Sequence, residues 1–342
     1  MRALALVAHG GPEVAQLLEL PDPVLPIDGA IIRVKACALN HLDLWVRRGW
    51  PALRLTFPHI QGSDIAGVVE HVADGVIAVK PGDRVLVSPG TSCGNCAACG
   101  SGNDSLCAKY HLRGETMAGG ACERVAAAAN DLLRLPDSLS FEEAAATSLT
   151  FLTAWHMLVA RAHLARGEWI LVQAAGSGVG SAAIQVARYL GAQIIATAGD
   201  DAKLDRAKAL GAAHAINYRT ADFLSEVRRI TAKRGVDVVF ESVGGETFEK
   251  SVRALAPGGR LVTCGATSGA EAKIDLRVLF WKQLSLLGST MGGKRELAEV
   301  LRLAGAGHFK AVIDRVFPLE KAREALFALE SREVFGKIVL VP

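Results

Sequence analysis

Apolar and polar positions change rhythm once along this chain, near residue 150. Before that point, short apolar runs at 30–34, 65–72 and 84–87 are broken by Pro21, Pro23, Pro26, Gly29, Pro81 and Gly82. Short strands between turn residues predict a small β-barrel. After that point strands and helices alternate. Strands are expected over 169–173, 193–197, 215–217, 237–241 and 260–264, and helices over 179–190, 201–210 and 222–231. Such alternation predicts a parallel sheet covered on both faces. Beyond about residue 290, helices at 294–304 and 319–330 and a strand at 337–341 follow. No repeat of solenoid period and no low-complexity tail is present.

The uncharged stretch 144–160 changes this picture only if it is a membrane span. It is shorter than the roughly 20 residues a bilayer requires. It also carries Thr147, Ser148, Thr150, Thr153 and His156, so a buried helix is expected. The 342 residues suffice for two domains with their own cores. A formal charge of +3 with no basic arm or stripe argues against nucleic acid as a partner. The apolar run at the N-terminus is too short for a signal peptide. Seven cysteines, with Cys37, Cys122 and Cys264 outside any cluster, fit a reducing cytoplasm.

The other four, Cys93, Cys96, Cys99 and Cys107, share one loop, SCGNCAACGSGNDSLC, at spacing C-x2-C-x2-C-x7-C. Four thiolates can close a tetrahedral shell around zinc and leave no open position for substrate. Such an ion is structural, one per chain. A disulfide pair or a reduced, unligated cluster is the alternative, and metal-type spacing in a reducing compartment weighs against it.

The strand expected at 169–173 runs into Ala174-Ala175-Gly176-Ser177-Gly178-Val179-Gly180 and then a helix. In this context Gly178 and Gly180 let backbone approach a pyrophosphate, and the helix N-terminus supplies free N–H groups. The next strand ends Ala196-Thr197-Ala198-Gly199, with no carboxylate at its tip. Small residues leave room for a 2′-phosphate, and Lys203, Tyr218 and Arg219 can bond it. Asp200 and Asp201 oppose this if they face the ribose. The balance points to NADP(H) over NADH.

On these motifs, with GSDIAGVVE at 62–70, KPGDRV at 80–85 and GKIVLVP at 336–342, the chain resembles the medium-chain dehydrogenase/reductase superfamily over its whole length. The resemblance implies an α/β protein of two domains. A GroES-like β-barrel catalytic domain spans 1–150, holds the zinc lobe at about 90–110, and is completed by 291–342. A Rossmann doubly wound parallel-sheet domain spans 151–290. Homodimers or homotetramers are usual.

Zinc alcohol dehydrogenases of this superfamily place a catalytic cysteine where this chain has Asn40. They have GHE where it has Gly62-Ser63-Asp64, and a further cysteine near Leu149. All three ligand positions are changed, to residues that bind zinc poorly. The serine of their proton relay is replaced by Leu42. The pattern instead resembles the quinone oxidoreductase branch, which shows Asn, GSD and the set Gly199, Lys203 and Tyr218. This chain differs from many of that branch in keeping the zinc lobe.

The resemblance gives Asn40 the task of positioning the substrate or nicotinamide ribose through its amide, and Asp43 that of orienting the loop. Trp45 would stack on a flat acceptor. His41 would meet the pyrophosphate or donate a proton. Thr153 would bond the nicotinamide carboxamide. Val243, Gly244, Gly265 and Ala266 follow the fourth and fifth strands, and small residues there suit the nicotinamide ribose. The expected activity is NADPH-dependent reduction of a quinone or an α,β-unsaturated carbonyl compound. Two alternatives stay open. One is an alcohol dehydrogenase whose catalytic zinc is rebuilt from Cys37, His41, His59 and Asp64. The other is a noncatalytic nucleotide-binding redox sensor.

Overall fold

Alternating short apolar runs in the first part of the chain become strands β1 (Arg2–Leu6), β2 (Ala15–Glu19), β3 (Gly29–Ala38), β4 (His59–Ile60), β5 (Asp64–Val72), β6 (Arg84–Val87), β7 (Gly90–Thr91), β8 (His111–Leu112), β9 (Arg124–Ala128) and β10 (Leu132–Arg134). Helices α1 (His41–Arg48), α2 (Ala97–Gly100) and α3 (Phe141–Trp155) interrupt and follow them. The computed structural model describes residues 1–342, the side chain of Glu246 excepted. It divides into two units, Met1–Leu149 with Gly292–Pro342, and Thr150–Met291. Returning to the first unit are α9 (Lys294–Gly305), β17 (Ile313–Pro318), α10 (Ala322–Glu330) and β18 (Lys337–Val341).

The main sheet of the first unit has the order β10-β6-β5-β3-β18-β17, with β9 paired to β3. Its core is apolar: Leu4, Ile32, Val34, Leu44, Ile65, Val85, Ile338 and Leu340 are almost wholly buried. Each such side chain contributes roughly 1.5–3 kcal/mol by leaving water. Register then places the site. Ala38 at the end of β3 lies opposite Asp64 at the start of β5 and opposite Val339 of β18. Three strand ends therefore meet where β3 turns into α1.

The second unit holds β11 (Trp169–Val172), β12 (Gln193–Ala198), β13 (His214–Asn217), β14 (Val236–Glu241), β15 (Leu255–Thr263) and β16 (Ser285–Gly288), all parallel, in the order β13-β12-β11-β14-β15-β16. Between them run α4 (Gly178–Tyr189), α5 (Asp201–Leu210), α6 (Phe223–Ile230), α7 (Gly245–Ala254) and α8 (Leu276–Trp281). Leu171, Ile195, Val239 and Leu261 fill the sheet, and Phe223, Val227 and Val252 cover it from α6 and α7. The strand order reverses between β11 and β14, and ligands of doubly wound sheets bind beyond the carboxyl ends of the strands at such a point.

Some elements depart from the sequence pattern. The uncharged helix is α3, which starts earlier than 144 and ends in a wide turn over His156–Arg161. The helix expected over 319–330 opens with a tight turn, Leu319–Lys321, before α10. β15 begins at Leu255 rather than 260, because its register with β14 shifts around Pro257-Gly258-Gly259. Among the described residues, no helix is long and apolar enough to cross a membrane.

Candidate functional site

At the end of β3, Asn40 caps α1. Its backbone N–H donates to Asp43 Oδ2 at 2.7 Å, in a capping box. Asp43 Oδ1 accepts the Gly62 N–H at 2.9 Å, which ties α1 to the segment entering β5. Asp43 is buried, and burial pushes its carboxyl up to about 6 against the pull of the two N–H groups and Lys337.

Lys337 opens β18 and is also buried. Its Nζ donates to Asn40 Oδ1 at 2.5 Å, Leu39 O at 2.6 Å and Asp64 Oδ2 at 3.0 Å. An ammonium has three N–H bonds, and each has an acceptor here. The Asn40 amide is thereby oriented. Its oxygen faces the cation, and its nitrogen donates to Asp64 Oδ2 at 2.9 Å. Asn40 is 7% exposed, and both ends of the side chain that the resemblance assigns to substrate or ribose are hydrogen-bonded inside the unit.

The other positions aligned with metal ligands are engaged as well. Ser63 Oγ donates to Arg113 O at 2.7 Å, and the Leu149 N–H donates to Asp64 Oδ1 at 2.8 Å. Cys37 is buried in the apolar core of the barrel, and burial raises its thiol pKa well above the usual value. His59 lies buried in β4. His41 and Trp45, one turn apart on α1, meet edge to face with ring centres 5.1 Å apart. Burial, then Arg332 and Arg48, push His41 down to about 4. It is thus neutral near pH 7.

Among the described residues, one group of His, Cys, Asp or Glu side chains is arranged to hold a metal: Cys93, Cys96, Cys99 and Cys107, with all Sγ atoms within 4.8 Å of one another. The separations Cys96–Cys99 and Cys93–Cys107 are 3.5 Å, and Cys93–Cys99 is 3.9 Å. Zinc bonds of about 2.3 Å in a tetrahedron require sulfur edges of about 3.8 Å. Disulfide bonding needs about 2.05 Å. The donor set therefore fits zinc, closed on all sides. The lobe is anchored by Asp104, whose Oδ2 accepts the Lys294 N–H at 2.8 Å and so caps α9. Lys294 Nζ in turn pairs with buried Asp131 at 2.5 Å.

In the second unit, Ser177 caps α4 and accepts the Gly180 N–H at 3.0 Å. A β-carbon on Gly180 would stand 2.3 Å from Ala174 O, so only glycine fits. Ala175 and Val179 complete this turn, the Ala175 N–H donating to Thr197 O at 2.8 Å. At the tip of β12, a β-carbon on Gly199 would lie 2.7 Å from Tyr218 Oη and 3.2 Å from Arg219 Nε. Glycine, phenol and guanidinium thus border one spot. Asp200 caps α5 by accepting the Lys203 N–H at 2.8 Å, and the Lys203 Nζ lies 3.8 Å from it. Asp201 accepts from Asn217 Nδ2 at 2.9 Å. The Thr153 hydroxyl is buried with no partner in the protein, a donor that a carboxamide would satisfy. Val243 and Gly244 follow β14, and Gly265 O accepts from Thr263 Oγ1 at 3.2 Å after β15. A crowded glycine turn, an orphaned hydroxyl and a basic spot beyond β12 together suit a dinucleotide.

Two residues of this arrangement were missed by sequence reasoning, Lys337 and Glu241. Each is a buried charge at the end of a mostly apolar strand, KIVLV and VDVVFE. A charge that the fold must bury requires partners, and that is the signal they carry.

Comparison with known proteins fits this geometry. A family model described as "Alcohol dehydrogenase GroES-like domain" matches residues 27–137, and one described as "Zinc-binding dehydrogenase" matches 178–306. The chain is 30% identical to a quinone oxidoreductase of Homo sapiens, over 95% of this chain and 92% of that one. It is 32% identical to an NAD-dependent alcohol dehydrogenase of Saccharolobus solfataricus, over 100% of both. A solved structure of an NAD-dependent alcohol dehydrogenase superposes with TM-score 0.97 at 47% identity, covering 100% of both chains.

Proposed function

Since the chain belongs to the medium-chain dehydrogenase/reductase superfamily, we propose that it is an NADPH-dependent oxidoreductase that reduces a quinone or an α,β-unsaturated carbonyl compound without a catalytic zinc. One observation carries this reading. The Lys337 ammonium sits between Asn40 and Asp64, and the side chains at the three aligned ligand positions are an amide, a hydroxyl and an isobutyl group. A second cation inserted there would face Lys337 at close range, with no thiolate or imidazole to hold it.

The acceptor class follows from charge. Hydride addition to a simple ketone places a full negative charge on one oxygen, which a Lewis acid stabilises by several kcal/mol. Conjugate reduction spreads that charge over an enolate or a hydroquinone, and hydrogen-bond donors suffice. NADPH, when bound, supplies the hydride. Ser177, Gly178 and Gly180 would hold its pyrophosphate, and Gly199, Lys203, Tyr218 and Arg219 its 2′-phosphate. Thr153 would take its carboxamide, and Val243 and Gly265 its nicotinamide ribose. The Trp45 ring, met edge to face by neutral His41, would stack on a flat acceptor. Asn40, Asp43, Asp64 and Lys337 shape the backbone beside it. Zinc in the four-cysteine lobe would hold that loop.

An assembly is part of this proposal. β16 is the edge of its sheet, and the neighbouring α8 leaves Leu276, Phe280 and Trp281 more than half exposed. A second copy of the chain on this face gives a homodimer, and pairs of dimers a homotetramer. A cytoplasmic site of action keeps the four thiols reduced.

The test is a panel of quinones, enones, alcohols and ketones, assayed with NADPH and with NADH beside the zinc content per chain. Turnover of the conjugated acceptors with NADPH and one zinc per chain is expected. A second reading, an NAD-dependent alcohol dehydrogenase with a nonstandard metal site, is favoured by the name of the 47% identical structure. Two zinc ions per chain with alcohol oxidation by NAD would establish it. Binding of cofactor with no turnover of any acceptor would leave the redox-sensor reading.

A further inference from the structure

Beneath the carboxyl ends of β12, β11 and β14 runs a chain of buried polar side chains. Thr197 Oγ1 donates to Gln173 Oε1 at 2.6 Å, and Gln173 Nε2 donates to Ser251 Oγ at 3.1 Å. Ser251 Oγ donates to Glu241 Oε2 at 3.0 Å. Thr197, Gln173, Ser251 and Glu241 are all at most 1% exposed. Every donor points toward Glu241, which ends the chain. Among the described residues, Thr247 Oγ1 at 2.9 Å, the Val243 N–H at 2.6 Å and the Gly244 N–H at 3.1 Å also donate to it. All of these partners are neutral.

A carboxylate buried this deeply costs several kcal/mol unless its hydrogen bonds are complete. The fold completes them by bending the 242–244 loop so that two successive N–H groups converge on Oε1. That bend is locked from the other side. The Ser268 N–H and Oγ both donate to Val243 O, at 2.7 and 2.9 Å, and Gly244, at φ +87°, bridges to Gly269. The carboxylate thus fixes the loop that follows β14. Through Ser251, Gln173 and Thr197 it also fixes the spacing between that loop and those after β11 and β12.

We propose that Glu241 is a positioning residue for the nicotinamide half of the dinucleotide, acting through the Val243–Gly244 backbone. This rests on the dinucleotide reading of the second unit. Glu241 touches no cofactor atom itself. It acts by holding two amides, so its loss is felt at one end of the ligand and not at the other.

The experiment compares wild type with Glu241→Leu, Glu241→Gln and Ser251→Ala. Calorimetry gives Kd for NADPH and for 2′-phospho-ADP-ribose, which lacks the nicotinamide. Hydrogen exchange of the Val243 and Gly244 amides is followed in the cofactor-free protein. Glu241→Leu should weaken NADPH on the order of tenfold while the fragment changes by less than about twofold, since misplaced contacts are lost only where the loop moves. The same variant should speed exchange at both amides. Ser251→Ala should do the same to a smaller degree. Glu241→Gln should stay near wild type, because reversing the Ser251–Gln173–Thr197 bonds lets a carboxamide fill the same place. Equal weakening of NADPH and the fragment, or unchanged NADPH affinity with unchanged exchange, overturns the proposal. If Glu241→Leu does not fold, Ser251→Ala decides by the same criteria. Wild type that binds neither compound would overturn the dinucleotide reading and this inference with it.

Discussion

At the scale of single residues, the decisive contacts are charges that the fold buries. Lys337 neutralises Asp64 inside the barrel unit. Removing one partner of such a pair leaves the other uncompensated, so Lys337→Met should cost about 3–5 kcal/mol in urea unfolding. Asp64→Asn combined with Lys337→Met should recover part of that loss. Asp43 and His41, two residues apart on α1, are both shifted toward neutrality, Asp43 up to about 6 and His41 down to about 4. Their effects on stability have opposite signs. Between pH 4 and 6 the folded protein holds a proton on Asp43 that the unfolded chain has lost, so this group lowers stability as pH rises. Over nearly the same window the unfolded chain protonates His41 and the folded one does not, so this group raises stability with pH. The Asp43→Asn variant should therefore gain stability relative to wild type as pH climbs from 4 to 6, and His41→Gln should lose it. Thermal unfolding across that range checks both slopes. In the second unit, Lys203→Ala should weaken NADPH by roughly tenfold and leave NADH nearly unchanged, through loss of a charge-assisted bond to phosphate. Equal effects on both cofactors would remove Lys203 from the 2′-phosphate site.

Among elements, the legible ones were those with strong local signals. The strands at 84–87 and 337–341 and the helix at 201–210 match β6, β18 and α5 end to end. Gly199, Tyr218 and Arg219 meet as their places in the chain suggested, because consecutive parallel strands bring their carboxyl ends together. α7 left little trace: its sequence GETFEKSVRA is mostly polar and starts on the second glycine of Gly244-Gly245. The bond between the Asn40 amide and Lys337 was not legible for a different reason. The two lie 297 residues apart, and no local pattern announces a pair that only strand register creates. The zinc lobe was legible as a ligand set but not as a support for α9. Asp104→Ala should cost about 1 kcal/mol by removing an acceptor from a helix start. Chelating the metal should release the same loop, so the substitution should cost much less in zinc-free protein. Unfolding curves with and without chelator measure the difference.

For the whole molecule, the exposed α8 face is the feature with the largest reach. Trp281 is 83% exposed, beside Phe280 at 64% and Leu276 at 67%. Light scattering should find more than one chain per particle, and Trp281→Glu should shift it toward the monomer. A monomeric wild type would remove the assembly from the proposal. The placing of β18 has a different consequence, for the nascent chain. Asn40 and Asp64 leave the ribosome long before the lysine that neutralises them, which is translated 297 residues after Asn40. At ordinary elongation speeds this is a wait of roughly 15–60 s. The contiguous stretch Thr150–Met291 has all its strands once Met291 is made, whereas the unit begun before it still lacks β17 and β18. Translation therefore finishes the later unit first. A stalled chain that stops short of Lys337 should resist protease over its second half while its first half is cut.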